Sequence, residues 1–149
     1  MSCELVQADG KWLLTEEAFS IYAPCMYRPT YEKYVGEMEG YLADKAVKVF
    51  EYRRCGRDAG ILVLDLGGPA PEILGIAVAG NCRKLGIGRE MIAQVMRREK
   101  LDRIIAQTDD DAVGFYRSCG FNTVRGGVRY PGGEGGGEKR LLWGGDGIQ

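Results

Sequence analysis

The sequence predicts an α/β (α+β) fold: one domain around a mixed, mostly antiparallel sheet with about four flanking helices. Three observations predict it. Short apolar runs rich in β-branched residues recur along the chain, and most are joined by turn residues, as in hairpins and meanders. Between them lie stretches whose apolar residues fall three and four apart. One of those helical stretches connects two strand-like runs, which makes that strand pair parallel. With 149 residues, 45% of them hydrophobic, the chain can build one proper core but not two. The expected organisation is one domain over residues 1–143 with a disordered tail at 144–149.

The elements follow in order. Residues 3–8, CELVQA, suit a first strand. Thr15, with Glu16 and Glu17 behind it, caps a helix that runs to about Tyr22 before Pro24 stops it. Pro29 and Thr30 start a second helix, with Tyr31, Tyr34, Val35, Met38, Tyr41 and Leu42 at helical spacing. The aromatic-edged loop between them, Ala23 to Pro29, reads either as a site wall or, more plainly, as a packed connection. Val47–Tyr52 and Gly60–Leu66 read as a hairpin around Arg54–Asp58. Gly67–Pro71 is a further turn into the strand Ile73–Ala79. A helix carries Ile87, Met91, Ile92, Val95 and Met96 on one face, and a strand follows at Leu101–Gln107. The next helix starts at the acidic run Asp109-Asp110-Asp111 and ends at Gly120 in a left-handed conformation. Val124–Tyr130 and Arg140–Trp143 suit two last strands, separated by the glycine-rich 131–138, too flexible in composition to hold one conformation.

Composition excludes several chemistries. There is no histidine, which removes a Ser-His-Asp triad, a Cys-His pair and most zinc sites, so no metal is expected. The five cysteines (Cys3, Cys25, Cys55, Cys82, Cys119) form no CxxC pair and read as reduced, partly buried thiols. Cys82 and Cys119 are possible nucleophiles, but neither has a histidine to activate it. A formal net charge of −1 lacks the basic footprint of a nucleic-acid binder. No apolar run is long enough to span a membrane, and the N-terminus lacks a signal peptide's pattern. A cytoplasmic location is the default expectation.

The stretch from Glu72 to Arg98 organises the rest: apolar strand, basic turn, Leu85-Gly86-Ile87-Gly88, amphipathic helix. The first turn of a helix carries unpaired N–H groups and the positive end of the macrodipole, so it attracts phosphate. Gly86 and Gly88 leave room for a diphosphate at the backbone, and Arg83 and Lys84 add cationic donors. The plainer alternative is a basic turn before a glycine-rich helix start in another α/β protein. A nucleotide-binding loop is disfavoured, because the third glycine of the dinucleotide fingerprint is missing.

Arg83-x-x-Gly86-x-Gly88 after an apolar strand is followed about thirty residues later by Asp-Asp-Ala-x-x-Phe-Tyr-x-x-x-Gly-Phe. Together, and in this order, they resemble the GNAT superfamily of acyl-CoA-dependent N-acetyltransferases. The resemblance implies a single-domain GNAT fold whose parallel strand pair splays apart in the sheet centre, and acetyl-CoA as cosubstrate. It implies that backbone N–H groups from Arg83, Lys84, Leu85, Gly86, Ile87, Gly88 and Arg89 hold the pyrophosphate. Ile76, Ala77 and Val78 would pair with the pantetheine arm, one N–H polarising the thioester carbonyl. Asp111 falls where other members contact CoA through asparagine. Tyr116 matches the tyrosine that protonates the departing thiolate, a suitable role for a phenol with a reference pKa of about 10. Glu72 matches a glutamate that takes the amine's proton directly or through water. The implied reaction is direct acetyl transfer to a primary amine in a ternary complex. The different-class alternative is a non-catalytic acyl-CoA-binding sensor or interaction module. Small amines, amino acids or peptide ends are the expected acceptors, and homodimers are common in the family.

Overall fold

In the computed structural model, residues 3–83, 85–108, 113–129 and 138–145 are described. Seven strands form one sheet: β1 Cys3–Gln7, β2 Val47–Arg54, β3 Arg57–Asp65, β4 Glu72–Val78, β5 Arg103–Thr108, β6 Asn122–Arg129 and β7 Glu138–Gly145. Their spatial order is β1-β2-β3-β4-β5-β7-β6, antiparallel throughout except for β4 beside β5. The helices are α1 Gly10–Leu13, α2 Glu16–Tyr22, α3 Tyr31–Ala43, α4 Ile87–Arg98 and α5 Val113–Ser118.

The local reasons match the expected ones for α2, α3 and α4. Thr15 Oγ1 accepts from Ala18 N at 3.2 Å and Thr30 Oγ1 from Lys33 N at 3.1 Å, capping α2 and α3. Ile87, Met91, Ile92 and Val95 of α4 are buried, each contributing roughly 1.5–3 kcal/mol before the entropy of ordering. They join Phe50, Leu62 and Ile104 in one apolar layer. On the sheet's other face, Tyr22, Tyr34 and Met38 of α2 and α3 pack with Val49, Ile61 and Ala77. Gly120 has φ +96°, as expected of a left-handed helix terminator.

Several boundaries differ. Helix α1 was not expected: its four residues are too few to show a period, although Asp9 caps it by accepting from Lys11 N at 3.0 Å. The β2–β3 turn is two residues, Cys55 and Gly56, rather than five. Both have positive φ, 54° and 77°, the conformation that matches a tight hairpin to strand twist. β7 includes Gly144 and Gly145, which pair with Ile104 and Arg103, so the expected tail at 144–149 begins too early. Tyr130, residues 131–137 and 146–149, and the acidic run Asp109-Asp110-Asp111 lie outside the described residues.

The feature that positions the site is in β4. Val63 of β3 pairs with Gly75 and Leu64 with Ile73, leaving Leu74 as an extra residue. Such a bulge bends its strand. Below it, β4 and β5 pair at Glu72↔Ile105 and Ile73↔Ala106, with Ile105 N donating to Pro71 O at 2.8 Å. Above it the parallel pairing stops, and the two strands splay.

Candidate active site

The splay opens a cleft of about 610 Å³, walled by Ile76, Ala77 and Val78 on one side and by Phe115 and Ser118 of α5 with the following Cys119 on another. Arg83, Gly86, Ile87, Gly88 and Arg89 line its mouth, and Pro24 and Cys25 close a third side. Backbone direction along β4 follows from its partners. Ala79 N donates to Ala59 O of the β3 side at 2.8 Å, whereas the Ile76 carbonyl accepts from Cys25 Sγ at 2.7 Å and the Val78 carbonyl from Arg83 Nε at 3.5 Å. Backbone groups of alternate residues point to opposite edges. Ile76 and Val78 therefore address the opening, and Ala77 is turned to Ile61 of β3.

At the mouth, α4 begins without a side-chain cap, on Gly86 at φ +73°. The N–H groups of Ile87, Gly88 and Arg89 belong to the first turn, which no residue inside the helix can satisfy. They lie with two guanidinium groups around one opening, a positive cradle suited to an anion. The two glycines serve different ends. Gly86 supplies the left-handed backbone, and a Cβ on it would meet open space. A Cβ on Gly88 would lie 2.6 Å from Phe115 Cζ, so its lack of a side chain seats α5 against α4 as well as leaving the backbone bare.

Of the residues expected at the site, Ile76, Ala77, Val78, Arg83, Gly86, Ile87, Gly88 and Arg89 do line the cleft. The Leu85 side chain is exposed instead. Lys84 and Asp111 lie outside the described residues. Tyr116 is buried in the core just behind the wall, its ring edge-on to Phe115 and Phe121 at centroid distances of 5.2 and 5.3 Å. Tyr116 itself does not line the cleft. Glu72 stands at the closed end of the pair, opposite Ile105.

Sequence reading missed Pro24, Cys25, Cys82, Phe115, Ser118 and Cys119 as wall residues. For the first two the loop reading chose the packed connection, whereas Ala23–Cys25 forms a 3-10 turn that presents both to the cleft. The five cysteines are free thiols, and Cys3, Cys25 and Cys55 are exposed rather than partly buried. Cys25 is open to solvent as a residue, but its Sγ is turned onto the Ile76 carbonyl and desolvated there, which pushes the thiol up to about 11; burial also raises that of Cys119. Both are neutral thiols at ordinary pH, and neutral thiols are poor nucleophiles. Among the described residues there is no group of three metal-ligating side chains, and no helix is long and apolar enough to cross a membrane.

The family model described as acetyltransferase (GNAT) domain matches residues 41–123. Among solved structures, the chain is similar to a chimera of the Vibrio cholerae spermidine N-acetyltransferase SpeG with hSSAT, at TM-score 0.71 and 15% identity over 95% of this chain and 93% of that one. It is similar to the Escherichia coli ribosomal-protein-S18-alanine N-acetyltransferase at TM-score 0.68 and 15% identity, covering 95% and 92%. A Corynebacterium glutamicum protein described as histone acetyltransferase HPA2 and related acetyltransferase matches at TM-score 0.69 and 16% identity, covering 96% of each chain. At these identities the likeness is one of fold. A search of the curated proteins finds no match.

Proposed function

Since the chain belongs to the GNAT acetyltransferase family, we propose that it moves an acetyl group from acetyl-CoA to a primary amine by direct attack in a ternary complex. The observation that carries this reading is the coincidence of two features at one cleft: the uncapped start of α4 between Arg83 and Arg89, and the free edge of β4 where it leaves β5. The first suits a pyrophosphate. The second suits an extended amide-bearing arm, which pairs with a strand edge as another strand does. Residues 1–143, with Gly144 and Gly145 of β7, serve as one such domain.

Each step is assigned to a residue of this chain. The pyrophosphate is held by N–H groups of Ile87, Gly88 and Arg89 and by the two guanidinium groups, with Lys84 as a further cationic contact; Asp111 is a contact to CoA other than its pyrophosphate. The arm lies along Ile76 and Val78, and one of their N–H groups polarises the thioester carbonyl. A donor aimed at a developing oxyanion lowers a barrier by ~3 kcal/mol. The amine nitrogen attacks the carbonyl carbon and its proton passes to Glu72, directly or through water. The carbon–sulfur bond then breaks, and Tyr116 protonates the leaving thiolate. Cys82 and Cys119 form no acyl intermediate. The acceptor is a small amine, an amino acid or a peptide end; spermidine and a ribosomal-protein alanine are the acceptors named for two enzymes that share the fold.

Two measurements test the reading. Acetyl-CoA at ~100 times its dissociation constant adds ~2.7 kcal/mol of stability, roughly 5–10 °C in Tm at this size. Thiol release is then followed against polyamines, amino sugars, amino acids, aryl amines and peptides with free N-termini, with an acceptor-free blank. Release with one class names the acceptor. No thermal shift with saturating acetyl-CoA would refute both the cleft assignment and the reaction.

A further inference from the structure

Beyond Ile73 the strand that walls the cleft has parted from β5 and, past its bulge, pairs with β3 alone. A backbone N–H that polarises a carbonyl has to be held to within about 0.5 Å and 10–20° of its working geometry. The hold comes from earlier in the chain, from the end of α2 and the 3-10 turn Ala23–Cys25 that follows it. Tyr22, the last residue of α2, is fully buried with its ring 6.0 Å from that of Tyr34 between centroids. Its hydroxyl lies against the Cα of Gly75, in space that a side chain on Gly75 would need. Three residues later the Cys25 thiol donates to the Ile76 carbonyl at 2.7 Å. The link between these two contacts is short and stiff. Pro24 has a fixed φ, and Met26 N donates to Ala23 O at 2.9 Å.

The two contacts fall on either side of one peptide group. The Ile76 N–H belongs to the peptide between Gly75 Cα and Ile76 Cα. Tyr22 sits against the first of these atoms, and the thiol fixes the carbonyl just beyond the second. The N–H and C=O of a strand residue address the same edge. A carbonyl turned to Cys25 therefore turns the Ile76 N–H to the cleft as well. Val78 is held more loosely, its carbonyl accepting at 3.5 Å from Arg83, whose side chain is exposed.

We infer that Cys25 is a positioning residue: with Tyr22 it clamps the Gly75–Ile76 peptide, and this makes the Ile76 N–H the donor that polarises the thioester carbonyl. The inference deepens the proposed acetyl transfer and rests on it. The thiol acts through the strand and takes no part in making or breaking bonds.

Infrared difference spectra of acetyl-CoA, isotope-labelled against unlabelled at the carbonyl, test this with no acceptor present. The carbonyl bound by the wild type is expected to absorb at lower frequency than the free thioester. Cys25→Ala is expected to lose at least half of that displacement. With an acceptor that supports thiol release, its kcat should fall about tenfold at unchanged KM for acetyl-CoA, less than removal of a whole oxyanion donor costs. Cys25→Ser, which keeps a donor, should recover most of both. Cys25 is exposed as a residue, so neither replacement empties the core, and alanine and serine differ mainly in the donor. An unchanged carbonyl band in Cys25→Ala overturns the inference, and so does a Cys25→Ser variant no better than Cys25→Ala. A wild-type band at the free frequency, with the acetyl-CoA thermal shift intact, overturns the Ile76 donor and the clamp and leaves the cleft assignment standing. Absence of the thermal shift in the wild type overturns the cleft assignment beneath it.

Discussion

Gly75 is where the splay, the bulge and the buried Tyr22 ring meet, and its replacement by alanine is a sharp test of that geometry. An added Cβ would collide with the Tyr22 hydroxyl oxygen and would lie 2.8 Å from Cζ and 3.1 Å from Cε1. Tyr22 cannot retreat easily. It is fully buried, with the Tyr34 ring 6.0 Å away between centroids. Overpacking of this kind costs ~1–3 kcal/mol, and a fixed ring places Gly75→Ala toward ~3. Tyr22→Phe alone removes a buried hydroxyl, a change of ~1 kcal/mol. In the double variant the closest atom is gone and the ring has only tenths of an ångström to yield. The pair should then cost ~2–3 kcal/mol rather than the summed ~4, a coupling of at least ~1 kcal/mol. Urea unfolding of the four proteins measures it. Costs that add within ~0.5 kcal/mol would refute the contact, because distant sites behave that way.

Other outcomes follow from the same geometry. Arg83→Ala and Arg89→Ala should each weaken acetyl-CoA about tenfold and reduce the salt dependence of binding, with kcat nearly unchanged, read by calorimetry at two ionic strengths. Tyr116→Phe should lower kcat at least tenfold and leave acetyl-CoA affinity as it was; full activity in that variant would remove Tyr116 as the acid. Glu51 is buried, and burial together with the Asp58 carboxyl pushes its pKa up to about 7, against the pull of Arg53. A folded pKa raised above the unfolded 4.5 favours the protonated fold. Its stabilisation is therefore complete below about pH 4.5 and is lost as pH rises through about 7. Glu51→Gln should remove that slope and gain ~1–2 kcal/mol on the wild type at pH 8, followed by urea midpoints from pH 5 to 8.

How much of this was legible in the sequence depends on the range of the interaction that decides each feature. Helices α2 and α3 announce themselves through Thr15 and Thr30, because a cap is decided within three residues. The cradle of Arg83, Gly86 and Gly88 is equally local, so motif and geometry coincide there. The bulge at Leu74 is different. It exists because β3 and β4 pair out of step, a fact about two strands that neither states alone. One trace of it was present: a glycine inside an apolar strand often marks a bulge or a close approach, and Gly75 marks both. Cys25 left a weaker trace: the loop Ala23–Pro29 reads as a site wall or as a packed connection, and nothing within the loop decides between them. Its place appears only once the 3-10 turn Ala23–Cys25 brings its thiol to the Ile76 carbonyl of β4. The basic, glycine-marked mouth of the cleft follows chain-local rules, whereas its third side is built from separated elements, so sequence patterns describe the first better than the second.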